Sequence, residues 1–445
     1  MRASVRRLLI VVAVCGGGAV VYLLAAQAPA PPAAARSVHR TIHHRPTAPS
    51  GHARHPAADP WPHIWSVDAR LGVREFLGGD RTRVGWSKKL AEWGGTVGPH
   101  WWQSAIAILT LIQYAEKTND HSALLQHVID VTYKRGVRQP HTDQPFDFIN
   151  QYMDDTVWWG LAWLNASQYE LYYRHNIRDA TRFLRVAEKD AVWVARKRQC
   201  GGIVWSLGSP SGTITNAEYV ALTAELSQYR RTSSTFHDPG RAARWLSDAR
   251  GTLAWLQRVK LVNLGAGTIK DSLASHQCQT RTGGPLAYSE GEVADALVQL
   301  GNALNDPSYY RTAARFLRYV LRPSNSFVVH GVLQEHCEAV ALCTQNSLGN
   351  RYDITAFKGI FVQAVADWTA ATGSREFQPF LRAQARAVVQ NASRGPTHND
   401  VCPSAHTCQF AFSWARPFKT TPAPEQLATV GTQESGLAAL IAVLP

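Results

Sequence analysis

Three features of this 445-residue chain predict an all-α fold built from helical hairpins. From Trp61 onward, apolar residues recur at i, i+3, i+4 spacing in about twelve segments. Alternating Val/Ile/Thr runs are short and scarce, which argues against a sheet core. Turn chemistry recurs between the segments, at Thr118-Asn119-Asp120, Asn305-Asp306-Pro307 and Thr372-Gly373-Ser374. Twelve helices in hairpins can close into a toroid of six inner and six outer helices, and no fixed-length repeat marks an open solenoid. With 45% hydrophobic and 18% charged residues, the chain can bury a core.

The elements follow in order. Arg2, Arg6 and Arg7 precede an apolar stretch from Leu8 to Ala26. Its length suits a membrane-crossing helix, and the positive charge keeps its leading end cytoplasmic. Residues 1–28 are therefore read as a signal peptide or an uncleaved signal-anchor helix. Ala26-Gln27-Ala28 and Ala33-Ala34-Ala35 offer small-x-small cleavage sites. Residues 29–60 are rich in Pro, Ala, His and Arg and have no apolar period, so they read as a disordered linker. Its histidines (His39, His43, His44, His52, His55) read as solvated, because nothing fixes them as metal ligands. Residues 61–445 then form one helical domain. Its segments begin near Trp61, Trp101, Ser122, Asp155, Asp179, Asn216, Pro239, Glu290, Pro307, Thr355, Ser374 and Thr432. Two long interruptions, 323–353 and 394–429, each carry one C-x5-C pair.

Charge and cysteine usage narrow the setting. Seven Arg against one acid in residues 1–60 carry +6 of the net +13. The remainder is spread without a dense Lys/Arg run, which suits an anionic wall or membrane surface and not nucleic acid. No Walker loop, dinucleotide fingerprint, zinc-finger spacing or Gly-x-Ser-x-Gly elbow is present. Cys15 aside, six cysteines remain. In an oxidising compartment, Cys337–Cys343 and Cys402–Cys408 are expected to close small loops, leaving Cys200–Cys278. Spacing alone leaves the other pairings open.

The most informative segment is Asn150-Gln151-Tyr152-Met153-Asp154-Asp155-Thr156-Val157-Trp158-Trp159. An N-cap or a first-turn acid accounts for one aspartate at a helix start. Two adjacent carboxylates cannot both ionise cheaply, so their pKa values are driven apart. Glycoside hydrolysis needs such a pair, with one group ionised and the other protonated.

This segment resembles the Tyr-Asp-Asp-x-x-Trp-Trp signature of glycoside hydrolase family 76, the α-1,6-mannanases. Other segments resemble the family in the same order. They are Trp101-Trp102-Gln103-Ser104, Gly201-Gly202-Ile203-Val204-Trp205, Thr215-Asn216, Asp271-Ser272-Leu273, Tyr288-Ser289-Glu290-Gly291 and Phe357-Lys358-Gly359-Ile360-Phe361. The resemblance implies an (α/α)6 barrel as the catalytic domain and a retaining cleavage of α-1,6-linked mannosides. Asp154 would be the nucleophile and Asp155 the general acid/base, with no metal or organic cofactor. It also implies α-mannan or a lipomannan-type envelope glycan as partner. Ser211-Gly212 and Ser289-Glu290 depart from the family pattern, which bears on the substrate and not on the chemistry.

Substrate-binding candidates are Trp101, Trp102, Gln103, Tyr152, Trp158, Asn216, Asp271, Tyr288 and Glu290. Pyranose faces stack on aromatic rings while polar groups fix orientation. Neighbours on a helix face different ways, so one Trp of each pair is expected to pack against another helix. His100 is a second-tier polar candidate. Glu335 and Glu338 read as members of a solvated loop, and Lys358 either pairs with an acid or lies beneath the site. The expected protein is an extracytoplasmic monomeric glycosidase, secreted or held at the membrane by its N-terminal helix. Two alternatives are a transglycosylase remodelling envelope glycans and a non-catalytic glycan-binding wall protein.

Overall fold

The computed structural model describes residues 59–79, 84–94, 100–137, 147–274, 277–282, 286–339, 353–394, 408–416 and 428–445, and ahead of them Val14–Cys15 and Gly18–Ala19. Those four leading residues pair antiparallel, Val14 with Ala19 and Cys15 with Gly18. The rest of the expected leading helix, and the linker up to Ala58 with its histidines, lie outside the described residues. Among the described residues, no helix is long and apolar enough to cross a membrane.

Residues 59–445 form one unit. Its helices are α1 (Trp61–Phe76), α2 (Trp101–Thr118), α3 (Ala123–Gly136), α4 (Met153–Tyr172), α5 (Ile177–Ala195), α6 (Thr213–Thr232) and α7 (Pro239–Arg258). There follow α8 (Ala287–Leu304), α9 (Pro307–Val320), the single turn α10 (His336–Ala339), α11 (Asp353–Thr372), α12 (Gln378–Ala387) and α13 (Val430–Ile441). Each starts within a few residues of its expected position, α10 being the addition. Local chemistry explains the boundaries. Asn119 and Asn305 end α2 and α8 in left-handed conformation, which Asn tolerates best after Gly. Ser122, Asn176, Asp238 and Asp306 cap the outer helices that follow the short turns.

Six helices form a closed inner ring in the order α2, α4, α6, α8, α11, α13, with α13 returning to α2. Outside them, α5, α7 and α9 pack on the inner helices that precede them, and α12 lies against α11 and α13. Arg182 of α5 reaches Asp130 to tie in α3. The outer partner of α13 is α1, from the other end of the unit. Close approach within the ring requires small residues. A Cβ on Gly359 of α11 would meet the Ser435 Cα of α13 at 2.6 Å. The Ser435 Oγ instead accepts the Gly359 N–H at 3.0 Å.

The two ends of the ring differ. Inner helices lead to outer ones through short turns, such as residues 119–122 and 305–306. Outer helices lead back through long connections, most of which carry a two-stranded hairpin. Examples are Arg198–Gln199 with Gly202–Ile203, and Ser272–Ala274 with Gln277–Thr282. The N-termini of all six inner helices therefore meet the long connections at one end. Among the described residues the strands form only two-stranded pairs, so the core is helical.

Cys200 and Cys278 are bonded, with Cα atoms 5.4 Å apart, which joins two of these hairpins. Cys337 and Cys408 are also disulfide-bonded. Cys343 and Cys402, their expected partners, lie outside the described residues.

Glu335 and Glu338 are buried, which corrects the expectation of a solvated loop. Lys358 is buried too, and its Nζ donates to Glu338 Oε2 at 2.8 Å and to the Phe412 carbonyl. The ammonium also lies 4.1 Å from the centre of the Phe412 ring and 4.9 Å from that of Trp414. Removing one member of such a pair strands the other charge. Lys358→Met should lower the unfolding free energy by about 3–5 kcal/mol in denaturant titration. Lys358→Met combined with Glu338→Gln should recover most of that loss.

Candidate active site

The first turns of the inner helices and the long connections enclose a cleft of about 820 Å³. Its floor holds Asp154 and Asp155 at the start of α4. Neither caps the helix. Tyr152 stands at the cap position without a side-chain bond, and the buried Asn150 holds the turn leading into the helix. Asn150 Oδ1 accepts the Tyr152 N–H at 2.8 Å, and its Nδ2 donates to Asp155 Oδ2 at 2.6 Å. Asp154 Oδ2 accepts the Trp205 indole N–H at 2.7 Å.

One wall is a stack of three chain segments. Met153 N–H donates to the Trp205 carbonyl at 2.8 Å, and Tyr152 bridges Ser206. Thr213 N–H donates to the Asp271 carbonyl at 2.7 Å, and Gly212 bridges Ser272. Asn216 holds this stack from behind. It is fully buried, accepts from Ile203 N–H at 2.9 Å, and donates to the Ile203 and Gly212 carbonyls at 2.8 and 2.7 Å. The Gly-Gly turn lets the wall close, since a Cβ on Gly202 would lie 2.1 Å from Trp255. The facing wall comes from Trp102, Tyr288, Asp353 and Phe357. Trp102 donates its indole N–H to Asp353 Oδ1 at 2.8 Å, and Tyr288 stacks on Phe357 with ring centres 3.7 Å apart.

Burial in this cleft raises Asp154 to about 7, against the lowering bonds from Trp205 and from the backbone N–H groups of Asp155 and Asp154. Asp155 is raised further, by burial and then by the like charge of Asp154. The two carboxyls are thus separated in the order that leaves Asp154 the easier to ionise. Burial also raises Asp271 and Asp353.

The cleft gathers Trp102, Tyr152, Asp154, Asp155, Trp158, Asp271 and Tyr288 of the sequence candidates. It does not gather the others. Trp101 stacks on Phe148 and packs against Trp159, so one Trp of each pair is structural. Gln103 is turned into the interior. Asn216 shapes the wall without lining it. Glu290 is fully buried, and burial pushes it up to about 8. His100 is pushed down to about 4 by burial and is off the cleft lining.

Among the lining residues not singled out from the sequence, three carry groups suited to the chemistry. Trp205 is 43% exposed over the cleft and packs on Tyr152 with ring centres 5.1 Å apart. Asp353 lines the opposite wall. Glu218 of α6 lines the cleft from below, 0% exposed, with neither carboxylate oxygen bonded. An acid two residues beyond Asn216, in the first turns of an inner helix, was the available signal for Glu218.

Comparison with known proteins places this geometry. The profile described as "Glycosyl hydrolase family 76" matches residues 85–440. Among solved structures, the α-1,6-mannanase GH76A of Salegentibacter sp. HEL1_6 is similar, as an inactive variant in which two consecutive Asp are changed to Asn, in complex with α-1,6-mannotriose. It aligns at TM-score 0.63 and 17% identity, over 85% of this chain and 98% of its own. The Lin0763 protein of Listeria innocua aligns at TM-score 0.63 and 17% identity, over 85% and 96%. Dfg5 from Chaetomium thermophilum, in complex with glucosamine, aligns at 0.61 and 20% identity, over 86% and 88%. At these identities the likeness is one of fold. No curated protein matches the chain.

Carbon-detected NMR of the aspartate carboxyls tests the electrostatics. Trp205→Phe removes a bond that favours the ionised form, so Asp154 should titrate higher than in wild type. Asp154→Asn removes the like charge, so Asp155 should titrate lower than in wild type while burial holds it above the usual carboxylate range.

Proposed function

Because the chain belongs to glycosyl hydrolase family 76, we propose that it cleaves α-1,6-linked mannosides with retention of configuration. The observation that carries this reading is the adjacent pair at the cleft floor, in which Asp155 is the harder to ionise. Asp154 attacks the anomeric carbon as its carboxylate. The glycosidic C–O bond breaks, and Asp155 gives its proton to the departing oxygen. The product of this step is a glycosyl ester on Asp154. Asp155, now a carboxylate, takes a proton from water, which attacks the same carbon and frees Asp154. Trp205 and Trp102 offer ring faces and edges to the sugar, and Asp271 and Asp353 offer acceptors for its hydroxyls.

The cleft volume of about 820 Å³ lies in the upper part of the range for small-molecule sites, which suits binding more than one sugar unit of a chain. Room for an acceptor sugar also favours transfer as a second reading, in which a glycan hydroxyl replaces water in the second step. We place the protein outside the cytoplasm. The Arg-led apolar stretch before residue 27 and the Cys200–Cys278 bond support that placement, since such bonds persist in oxidising compartments.

Incubation with α-1,6-mannan oligosaccharides tests the proposal. Wild-type protein should release shorter products, with longer ones marking transfer. Asp154→Asn and Asp155→Asn should each lose roughly 10²–10⁴-fold or more in rate. Binding retained by all three proteins without any turnover would instead indicate a glycan-binding role. The pH dependence of kcat/KM should be bell-shaped. Activity falls as pH drops through about 7, where Asp154 takes up a proton, and falls again at higher pH as Asp155 loses its own.

A further inference from the structure

Below the catalytic cleft, toward the short-turn end of the ring, lies a second cavity of about 260 Å³. Trp158 lines both spaces. Five carboxylates from four inner helices face the second one: Glu116 of α2, Glu225 of α6, Glu292 and Asp295 of α8, and Asp367 of α11. No Lys, Arg or His is among its described lining residues. Lys117 acts on Asp367 from outside the lining. Amides partner two of the acids. Asn165 donates to Glu225 at 3.4 Å and Gln299 to Asp295 at 2.9 Å.

Glu292 sets this cluster apart from a solvated acidic face. It is 5% exposed and lines the cavity. It makes no hydrogen bond and no ion pair among the described residues, and the groups acting on it are all carboxylates: Asp295, Asp367 and Glu225. Burial and this mutual repulsion raise Glu225, Glu292 and Asp367 well above the usual range, and burial alone raises Glu116 to about 7 and Asp295 to about 6. A buried carboxylate needs a compensating charge or a proton. Against five carboxylates the described surroundings bring Lys117 alone, acting on Asp367, and the void leaves room for further charge from outside.

We propose that this second cavity is a cation site, taking a ligand with two positive charges: a hydrated divalent metal ion or a short alkyl diamine. Among the described residues no three acids converge as metal ligands do. A metal ion would therefore be held through its own water shell, as Mg²⁺ commonly is. A diamine would place one ammonium against Glu292 and Asp295 and the other against acids of a facing helix. Its methylenes would lie on Leu109, Leu161 and Ile360. The five acids line the second cavity and not the sugar cleft, although Glu292 acts on Glu218 at the bottom of that cleft, and the proposal stands whatever the glycan substrate is.

Thermal unfolding and titration calorimetry of the full chain at pH 8 test this. MgCl₂, CaCl₂ and 1,4-diaminobutane are compared with NaCl at matched ionic strength. At least one dication should raise the unfolding temperature saturably and bind with unit stoichiometry. Which one does so identifies the metal or the amine as the source of charge. Glu292→Gln/Asp295→Asn should weaken that binding at least tenfold, and Asp367→Asn should weaken it in the same sense, with circular dichroism showing both variants folded. Asp154→Asn should leave it intact. No saturable effect beyond NaCl overturns the proposal. So does an effect that survives in Glu292→Gln/Asp295→Asn and disappears in Asp154→Asn, because it places the cation in the sugar cleft.

Discussion

The architecture rests on the return of α13 to α2, which closes six parallel inner helices into a ring. Parallel packing puts every inner N-terminus at the same end, so unsatisfied N–H groups and the positive ends of the helix dipoles converge there. Carboxylates at that end stand where the backbone favours their ionised form. The same closure sends the long outer-to-inner connections to that end, and they build the walls. An open array of the same hairpins would have the segments without the enclosure.

Electrostatic separation of the two aspartates follows from position and not from any unusual residue. Both carboxyls share one floor and one burial penalty. Asp154 receives an indole N–H, while Asp155 receives one amide and the repulsion of its neighbour. Asymmetric donors thus turn a chemically symmetric pair into an acid and a base. Trp205 matters twice, because the indole that donates to Asp154 also presents an exposed ring face to the cleft.

Much of this was legible in the sequence. Helix starts were set by local capping and apolar period, and the Asp154–Asp155 pair announced itself by adjacency in a Trp-rich segment. Rotation about a helix axis decided the rest. Gln103 is one residue beyond Trp102, and that step of roughly 100° carries it from the cleft into the core. Glu290 and Asn216 were misread for the same reason, since motif membership does not report helix phase. Asp353 could not be seen beside Trp102, because 251 residues separate them. The acids of the second cavity were equally hidden, each looking like a lone polar residue on its own helix.

The pairing of α1 with α13 has a consequence for biosynthesis. Gln433 donates to the Gly72 carbonyl, and Gln409 to Glu75, across 361 and 334 residues of chain. Contacts this distant cannot form before the residues around Gln409 and Gln433 have been synthesised. The first helix must wait, with its apolar face uncovered, until the last inner helix has been synthesised. Every intermediate before that moment is a split ring with two open flanks. Closure of the ring therefore comes after the rest of it has been made, when α13 is available to cover α1.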